Sequence, residues 1–273
     1  MFDVCCLANT KLLISEFVCV LFKLYVPISR NNHMVKQQYQ TQRCKELTTV
    51  LEVEDITKTY MMGEIPVNAL RGLSFEIESG EYIAIVGPSG SGKSTMLNMI
   101  GALDRPTSGK LMIEGVDVST LSDNQLAETR KNVGFVFQFF NLIPRLNARG
   151  NVELPLAIAG VPKREREKRT EEVLTSVGLG DRMHHKPSEL SGGERQRVAV
   201  ARAIVTNPAF ILMDEPTGNL DSKTAGEIMD LVKQLNEEQG VTLIVVTHDQ
   251  NIGRQAGRTL HMLDGVIASD MVN

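Results

Sequence analysis

The sequence predicts an α/β fold with a mostly parallel core sheet, and two patterns lead to this prediction. Short apolar runs, which are typical of strands buried on both faces, occur at 82–86, 133–137, 210–213 and 242–246. Helical patterns intervene at 163–176, 193–205 and 223–239. Strands that alternate with helices in this way indicate a parallel sheet covered by helices.

Two further segments complete the predicted organisation. Apolar and polar residues alternate over 50–53 and 73–77, which predicts half-buried strands in a strand–turn–strand opening. Residues 139–185 lack a strand pattern, and we expect them to form a helical insertion.

The composition is that of an ordinary globular protein. The 273 residues are 42% hydrophobic and 23% charged, with a formal net charge of −4, which argues against a disordered, collagen-like or disulfide-stapled chain. A pI near 5.8 speaks against nucleic acid as the main partner, because neutralising phosphates requires a basic surface.

The first 49 residues differ in composition from the rest. They contain six Lys or Arg against three Asp or Glu, whereas the remainder has 23 basic and 30 acidic residues. They also contain all four cysteines, Cys5, Cys6, Cys19 and Cys44, whose spacing matches no common metal site. We therefore expect a boundary near residue 49 between an N-terminal extension, 1–49, and the remainder, 50–273, which the motifs described below fill as a single domain.

Three alternatives stay open for this extension. Its apolar run at 12–26 is too short and too charged to span a membrane, but it is compatible with an amphipathic segment that associates weakly with a membrane. In the second alternative, the extension is a disordered peripheral tail. In the third, translation starts at Met34, and residues 1–33 are not part of the protein. A mature mass that includes residues 1–33 would contradict a start at Met34.

A glycine-rich motif, GPSGSGKST, directly follows the apolar run at 82–86. It fits G-x-x-x-x-G-K-S between a strand and a helix, the context that a phosphate-binding loop requires. Backbone N–H groups and the positive helix N-terminus bind phosphate oxygens, Lys93 adds charge, and Ser94 is placed to bind Mg²⁺. The candidate residues for binding a nucleoside triphosphate are Gly87, Pro88, Ser89, Gly90, Ser91, Gly92, Lys93, Ser94 and Thr95.

An apolar strand that ends in two carboxylates is the second candidate element. Asp214 and Glu215 follow the run at 210–213. Asp214 suits coordination of Mg²⁺, and Glu215, which points the other way, can take the proton from an attacking water. The tandem glutamate favours hydrolysis over transfer of the phosphoryl group to another substrate.

The string LSGGERQ, at 190–196, precedes a helix rich in Arg and Ala. Ser191 is suited to cap this helix, and the two glycines leave backbone N–H groups open at its positive end. Together with the phosphate loop and the two strand-terminal carboxylates, the string resembles the signature motif of ATP-binding-cassette (ABC) ATPases. The resemblance implies a homodimer in which ATP held by one subunit is covered by the other subunit's Ser191, Gly192, Gly193 and Glu194.

The resemblance implies roles for further residues. Tyr60 stands where the family places an aromatic that stacks on adenine, and Gln138 matches a glutamine that reaches the Mg²⁺ and the attacking water. Asp221 lies in the loop that crosses the dimer interface, and His248 matches a histidine that contacts the γ-phosphate. The catalytic candidates are thus Glu215, His248, Lys93 and Gln138, and the metal candidates are Ser94, Gln138 and Asp214.

For the fold, the resemblance implies a P-loop NTPase with an N-terminal antiparallel β subdomain and a helical subdomain, at about 139–195, that carries the signature. It implies ATP and Mg²⁺ as cofactors. It also implies a separate integral-membrane permease as partner, which would place the chain at the cytoplasmic face of the membrane. The segments 136–144, 151–156 and 215–222 look like the lipoprotein-release and macrolide-export subgroup, from which Gly150 departs by replacing an acidic residue.

Two function hypotheses fit these motifs. In the first, the chain powers export or extraction of a substrate through the permease. In the second, it transmits force to an extracytoplasmic hydrolase or assembly without translocating a substrate. A chromosome-maintenance ATPase is disfavoured, because Lys93 and Ser191 are only 98 positions apart, which leaves no room for the long coiled coil that those proteins insert there.

Overall fold

The structure, a computed structural model, describes residues 49–273. The predictions made above for the four cysteines, the run at 12–26 and the start at Met34 lie outside the described residues. Residues 49–273 form two β-sheets and seven α-helices. None of the helices in this range combines the length and the apolar character that a membrane span requires.

The first sheet is antiparallel. Its strands are β1 (Thr49–Met62), β2 (Ile65–Glu78), β4 (Ser108–Ile113) and β5 (Val116–Asp117), and they lie in the order β2-β1-β4-β5. The alternating segments 50–53 and 73–77 belong to the long hairpin of β1 and β2, so the predicted strand–turn–strand opening is confirmed. The sequence did not predict β4, which begins with the residues Ser, Gly and Lys.

The second sheet contains the four strands predicted from apolar runs. Its strands are β3 (Tyr82–Val86), β6 (Val133–Phe137), β7 (Phe210–Asp214), β8 (Leu243–Thr247), β9 (Arg258–Leu263) and β10 (Val266–Val272). Their order is β10-β9-β3-β8-β7-β6, and every neighbouring pair is parallel except β10 with β9. The predicted α/β fold with a mostly parallel core sheet is confirmed.

The helices follow the predicted positions closely. They are α1 (Lys93–Ile100), α2 (Asp123–Thr129), α3 (Ala148–Ile158), α4 (Lys163–Ser176), α5 (Gly192–Ile204), α6 (Ser222–Gln239) and α7 (Gln250–Gln255). The patterns predicted at 163–176, 193–205 and 223–239 correspond to α4, α5 and α6. The predicted insertion at 139–185 contains α3 and α4 and no strand.

The parallel sheet separates two apolar cores. Along β3, Tyr82, Ala84 and Val86 face the core that α3 to α7 complete. Ile83 and Ile85 face the core formed with α1 and the antiparallel sheet. Burial of the strand on both faces explains the uninterrupted apolar run from which β3 was predicted.

Asn151 in α3 fixes the loop that leads into α3 within the helical insertion. The residue is 1% exposed, and its side-chain oxygen accepts a hydrogen bond from the Ile143 N–H at 2.7 Å. Its side-chain nitrogen donates to the carbonyl oxygens of Ile143, Leu146 and Asn147 at 3.2, 3.2 and 3.0 Å. This one amide therefore gives a partner to the Ile143 N–H and the Leu146 carbonyl oxygen, and it adds a second bond to the carbonyl oxygens of Ile143 and Asn147, which already accept from backbone N–H groups.

We predict that Asn151→Leu lowers the free energy of unfolding by about 3 kcal/mol, because the Ile143 N–H and the Leu146 carbonyl oxygen then lose their partner in a partly buried place. Urea denaturation followed by circular dichroism measures this change. Gln234→Leu, at an exposed position of α6, is the control and should shift the free energy by less than about 0.5 kcal/mol. Equal losses in both variants would contradict the role given to Asn151.

Candidate active site

The predicted site segments meet at one edge of the parallel sheet. The strand ends pair in register: Val86 with Thr247, Val246 with Asp214, and Asp214 with Phe137. The phosphate loop, Gln138, Glu215 and His248 each follow one of these ends, so they lie side by side. Ligands of open α/β sheets bind at this edge, outside the carboxyl ends of the strands.

Close packing on two sides determines the shape of the phosphate loop, 87–92. A Cβ atom on Gly87 would lie 2.3 Å from the carbonyl oxygen of Met262 in β9, and one on Gly92 would lie 2.7 Å from that of Ala69 in β2. Gly92 also has a φ of 100°, a left-handed conformation that costs glycine little. The neighbouring strands therefore require glycine at both positions.

The N-terminus of α1 is open toward this loop. No side chain caps the helix, and no acidic residue lies in its first turn, so its positive end is not offset locally. Lys93 Nζ donates to the carbonyl oxygens of Gly87 and Pro88 at 2.7 and 2.9 Å, which holds its charge over the loop. The buried Ser91 Oγ has no partner. An anion with several oxygens matches this arrangement.

The phosphate loop lines a cleft of about 610 Å³, together with other predicted site residues. Those residues are Lys93, Ser94, Thr95, Gln138, Asp214 and Glu215. Burial, and then the charge of Glu215, raises the pKa of Asp214, while Lys93 opposes the rise. A cation beside Asp214 would favour the ionised carboxylate that burial disfavours.

The donor atoms of the cleft fit a hard cation. Ser94, Gln138 and Asp214 offer a hydroxyl, an amide oxygen and a carboxylate, and oxygen ligands are those that Mg²⁺ prefers. Among residues 49–273, no three His, Cys, Asp or Glu side chains form a metal-binding group.

Glu215 is held by the residues at the end of β8. Its Oε1 accepts a hydrogen bond from the His248 backbone N–H at 3.0 Å and lies 2.7 Å from His248 Nδ1. Its Oε2 accepts from Thr247 Oγ1 at 3.0 Å. The backbone of Glu215 is left-handed, with a φ of 46°, a conformation that functional residues adopt when their surroundings hold them in it. No role was predicted for Thr247 from the sequence. Its position directly before the predicted catalytic residue His248 could have indicated one.

The signature string forms the start of α5. Ser191 and Glu194 cap each other: Ser191 Oγ accepts from the Glu194 N–H at 3.2 Å, and Glu194 Oε2 accepts from the Ser191 N–H at 2.8 Å. The bond from the Ser191 backbone is the main cause that lowers the pKa of Glu194. None of the four signature candidates is among the described residues that line the cleft, so they do not cover the phosphate loop of their own chain.

The start of α5 packs tightly against the start of α6. A Cβ atom on Gly193 would lie 2.4 Å from Thr224 Cγ2. Asp221 caps α6 by accepting hydrogen bonds from the Thr224 N–H at 3.1 Å and the Thr224 Oγ1 at 2.7 Å. These bonds lower the pKa of Asp221. The predicted interface residue therefore has a structural role within its own chain.

Gln196 connects α5 to the segment after Glu215, and no separate role was predicted for it. The residue is fully buried, and its Nε2 donates to the carbonyl oxygen of Pro216 at 2.7 Å. Its place inside the signature string was the available signal. Asn219 makes a similar link, because its Nδ2 donates to the carbonyl oxygen of Gln138 at 2.8 Å.

Tyr60 and His248 do not line the cleft within the part of the chain that the structure describes. Tyr60 lies near the end of β1 and is 37% exposed. The side chain of His248 is 73% exposed. Their predicted contacts with adenine and with the γ-phosphate stay predictions.

A phosphate loop that begins a helix, beside strand-terminal carboxylates of a parallel sheet, defines a P-loop nucleoside triphosphatase. The family follows from comparison with known sequences, because the model of the ABC transporter family matches residues 70–218. The chain belongs to the ABC transporter family and is an ATP-binding subunit of the kind that hydrolyses ATP. The resemblance read from the motifs is confirmed.

Known relatives support the predicted subgroup. The chain is 48% identical to the lipoprotein-releasing system ATP-binding protein LolD of Geobacter metallireducens, over 82% of this chain and 100% of LolD. It is 48% identical to the macrolide export ATP-binding/permease protein MacB of Syntrophobacter fumaroxidans, over 80% of this chain and 31% of MacB. The chain therefore spans about a third of the length of MacB.

A solved structure supports the fold. It is the dimeric, post-hydrolysis state of the ATP-binding cassette MJ0796 of Methanocaldococcus jannaschii, bound to ADP and Pi. The two chains superpose with a TM-score of 0.74 at 47% identity, over 81% of this chain and 98% of MJ0796.

We predict that Gly193→Ala lowers the free energy of unfolding by about 1 to 3 kcal/mol, because the new methyl group overlaps Thr224 Cγ2. Adding Thr224→Ser should restore most of the loss, since serine lacks that methyl group but keeps the hydroxyl that bonds Asp221. Chemical denaturation measures both variants.

Gly226→Ala is the matched control for this prediction, because Gly226 lies in α6 with open space around its Cβ position. It should stabilise the chain by about 0.5 to 1 kcal/mol. A Gly193→Ala variant as stable as this control would show that α5 and α6 do not pack as described.

Proposed function

We propose that the chain energises a transporter, and that it powers export or extraction of a substrate through a separate integral-membrane permease. The observation that carries the proposal is the single cleft in which the phosphate loop, Gln138, Asp214 and Glu215 lie together. LolD, by name part of a lipoprotein-releasing system, and MacB, by name an ATP-binding/permease protein, support transport as the use of this ATPase.

Two copies of the chain would complete each ATP site. The signature residues Ser191, Gly192, Gly193 and Glu194 lie away from the cleft of their own chain, yet they present a helix N-terminus that suits an anion. In the proposed homodimer, this N-terminus and the loop at Asp221 would cover the nucleotide that the second copy binds. The dimeric state of the relative MJ0796 supports this arrangement.

Hydrolysis would proceed by attack of a water on the γ-phosphorus, with the water's proton passing to Glu215 and ADP leaving. A carboxylate offers about four lone-pair sites. Three of those on Glu215 face the His248 N–H, His248 Nδ1 and Thr247 Oγ1, which leaves about one for the water. The same three contacts fix the direction in which that site points.

Positive charge around the phosphates would stabilise the charge that develops on the γ-phosphoryl group. Lys93 supplies one such charge from the loop. When bound by Ser94, Gln138 and Asp214, Mg²⁺ supplies a further charge. The exposed ring of His248 is available to approach the γ-phosphate, and Tyr60 to stack on adenine.

The permease would hold the chain at the cytoplasmic face of the membrane, where ATP is available. The acidic composition of residues 50–273, with 30 acidic against 23 basic residues, supports a function without nucleic acid. The identity of the transported substrate is decided by the permease, because the ATPase subunit has no need to touch it.

We predict that Glu215→Gln binds ATP and dimerises but hydrolyses ATP about 10²- to 10⁴-fold more slowly, since the general base is lost while the shape of the side chain is kept. Phosphate release measures hydrolysis, and size-exclusion chromatography with ATP measures dimerisation. Glu237→Gln, at an exposed position of α6, is the matched control and should hydrolyse at the wild-type rate. An unchanged rate for Glu215→Gln would mean that another group is the base.

A further inference from the structure

We infer that Lys58 and Asp104 are positioning residues that hold the ring of Tyr60 as a platform for a purine base. This inference rests on the proposed function, in which Tyr60 stacks on adenine, and it adds the two residues that would orient the ring. It also assigns the free face of the ring as the surface that takes the base.

Hydrogen bonds tie the three side chains together. Tyr60 Oη donates to Asp104 Oδ2 at 3.1 Å, and Lys58 Nζ lies 2.8 Å from the same oxygen. Lys58 Nζ also donates to the carbonyl oxygen of Arg105 at 2.6 Å. With 12% of its side chain exposed, Lys58 is enclosed rather than free in solvent, so the contact is more than an exposed ion pair.

The ammonium group of Lys58 covers one face of the Tyr60 ring. Its Nζ lies over the ring, 5.0 Å from the centroid, within the range of a cation–π interaction. Tyr60 is nevertheless 37% exposed. One face is therefore occupied by a charge, and the solvent-facing side remains for a planar ligand, because stacked rings pack with their faces offset and parallel.

Asp104 is itself anchored to the helix that begins at the phosphate loop. Its N–H donates to the carbonyl oxygen of Asn98 in α1 at 3.1 Å. The next residue, Arg105, donates to Asp123 Oδ1 at 2.6 Å and to the carbonyl oxygen of Leu121 at 2.9 Å. The N-terminus of α1 faces the proposed phosphates and its C-terminus holds Asp104, so one rigid helix relates the ring to the triphosphate site.

The charge of Asp104 fits this role. Burial acts to raise its pKa, but hydrogen bonds from Lys58, the Arg105 N–H and Tyr60 outweigh burial and lower the pKa of Asp104. The carboxylate therefore stays ionised and accepts from the tyrosine and the lysine at once. Burial and the bond to Asp104 raise the pKa of the Tyr60 hydroxyl, while a hydrogen bond with Thr95 of α1 opposes the rise. The hydroxyl therefore stays protonated and can donate to Asp104.

The test compares a ligand that has a base with one that does not. Isothermal titration with Mg²⁺ measures the dissociation constants of ATP and of inorganic tripolyphosphate. We expect Asp104→Ala to weaken ATP binding about threefold to tenfold, because the ring must then be ordered on binding, and to leave tripolyphosphate binding unchanged. Asp104→Asn should fall between, because the amide still offers an acceptor oxygen to Tyr60 but no charge to Lys58.

Two further variants distinguish a lost orientation of the Tyr60 ring from a general disturbance of the structure. Tyr60→Phe combined with Asp104→Ala should bind ATP no more weakly than the worse single variant, since both remove the same bond. Glu54→Ala removes the contact of Glu54 with Lys110 at 3.7 Å, a lysine–carboxylate pair between β1, which also carries Lys58, and β4, and should leave both ligands unaffected. Unchanged tripolyphosphate binding also shows that a variant is folded.

Distinct results overturn the inference and the proposed function. If Asp104→Ala binds ATP as wild type does, or loses both ligands equally, Asp104 does not position the ring. If Tyr60→Ala also leaves ATP binding unchanged, the platform itself is wrong, although the triphosphate site stands. If the wild-type chain binds neither ATP nor tripolyphosphate, the proposed function fails together with the inference.

Discussion

The parallel register of β3, β8, β7 and β6 is the constraint on which the rest of the site depends. Because these strands pair in register, their carboxyl ends lie side by side and bring together segments that are far apart in sequence. The register is in turn set by burial, since each strand sends alternate side chains into two different cores. A slip of one residue would exchange those faces. Apolar packing therefore determines where the polar groups of the cleft lie.

Backbone hydrogen bonds hold the phosphate loop in the place that the strand register gives it. The turn between β9 and β10 joins two neighbours, because the Gly265 N–H donates to the carbonyl oxygen of Ser91 at 3.0 Å and the Arg71 N–H donates to that of Gly265 at 2.9 Å. These bonds connect the phosphate loop to both sheets. The loop is thus a preformed site, and preorganised donors lose little entropy when an anion binds.

Features that depend on neighbouring residues in the chain could be predicted from the sequence. The run at 82–86 and the phosphate loop after it are contiguous patterns, and both were predicted correctly. The strands β4, β5 and β10 were missed because they are partly exposed and lack an uninterrupted apolar run. The strand β9 was missed because Arg258 and His261 interrupt its apolar pattern. The bonds from Gln196 to Pro216 and from Tyr60 to Asp104 join residues 20 and 44 positions apart. Such contacts arise from how helices and strands pack, which neither a motif nor a periodicity records.

The hydrogen bond of Gln196 lies on a connection between the two nucleotide sites of the proposed dimer. Within one chain, its hydrogen bond joins the signature helix to the backbone beside Glu215. In the pair, that helix would face one ATP while Glu215 would serve the other, so the bond lies between two nucleotides. Coupling free energies between binding sites are reciprocal. Any effect of one nucleotide on the affinity of the second site would therefore be matched by an equal effect of the second nucleotide on the first site.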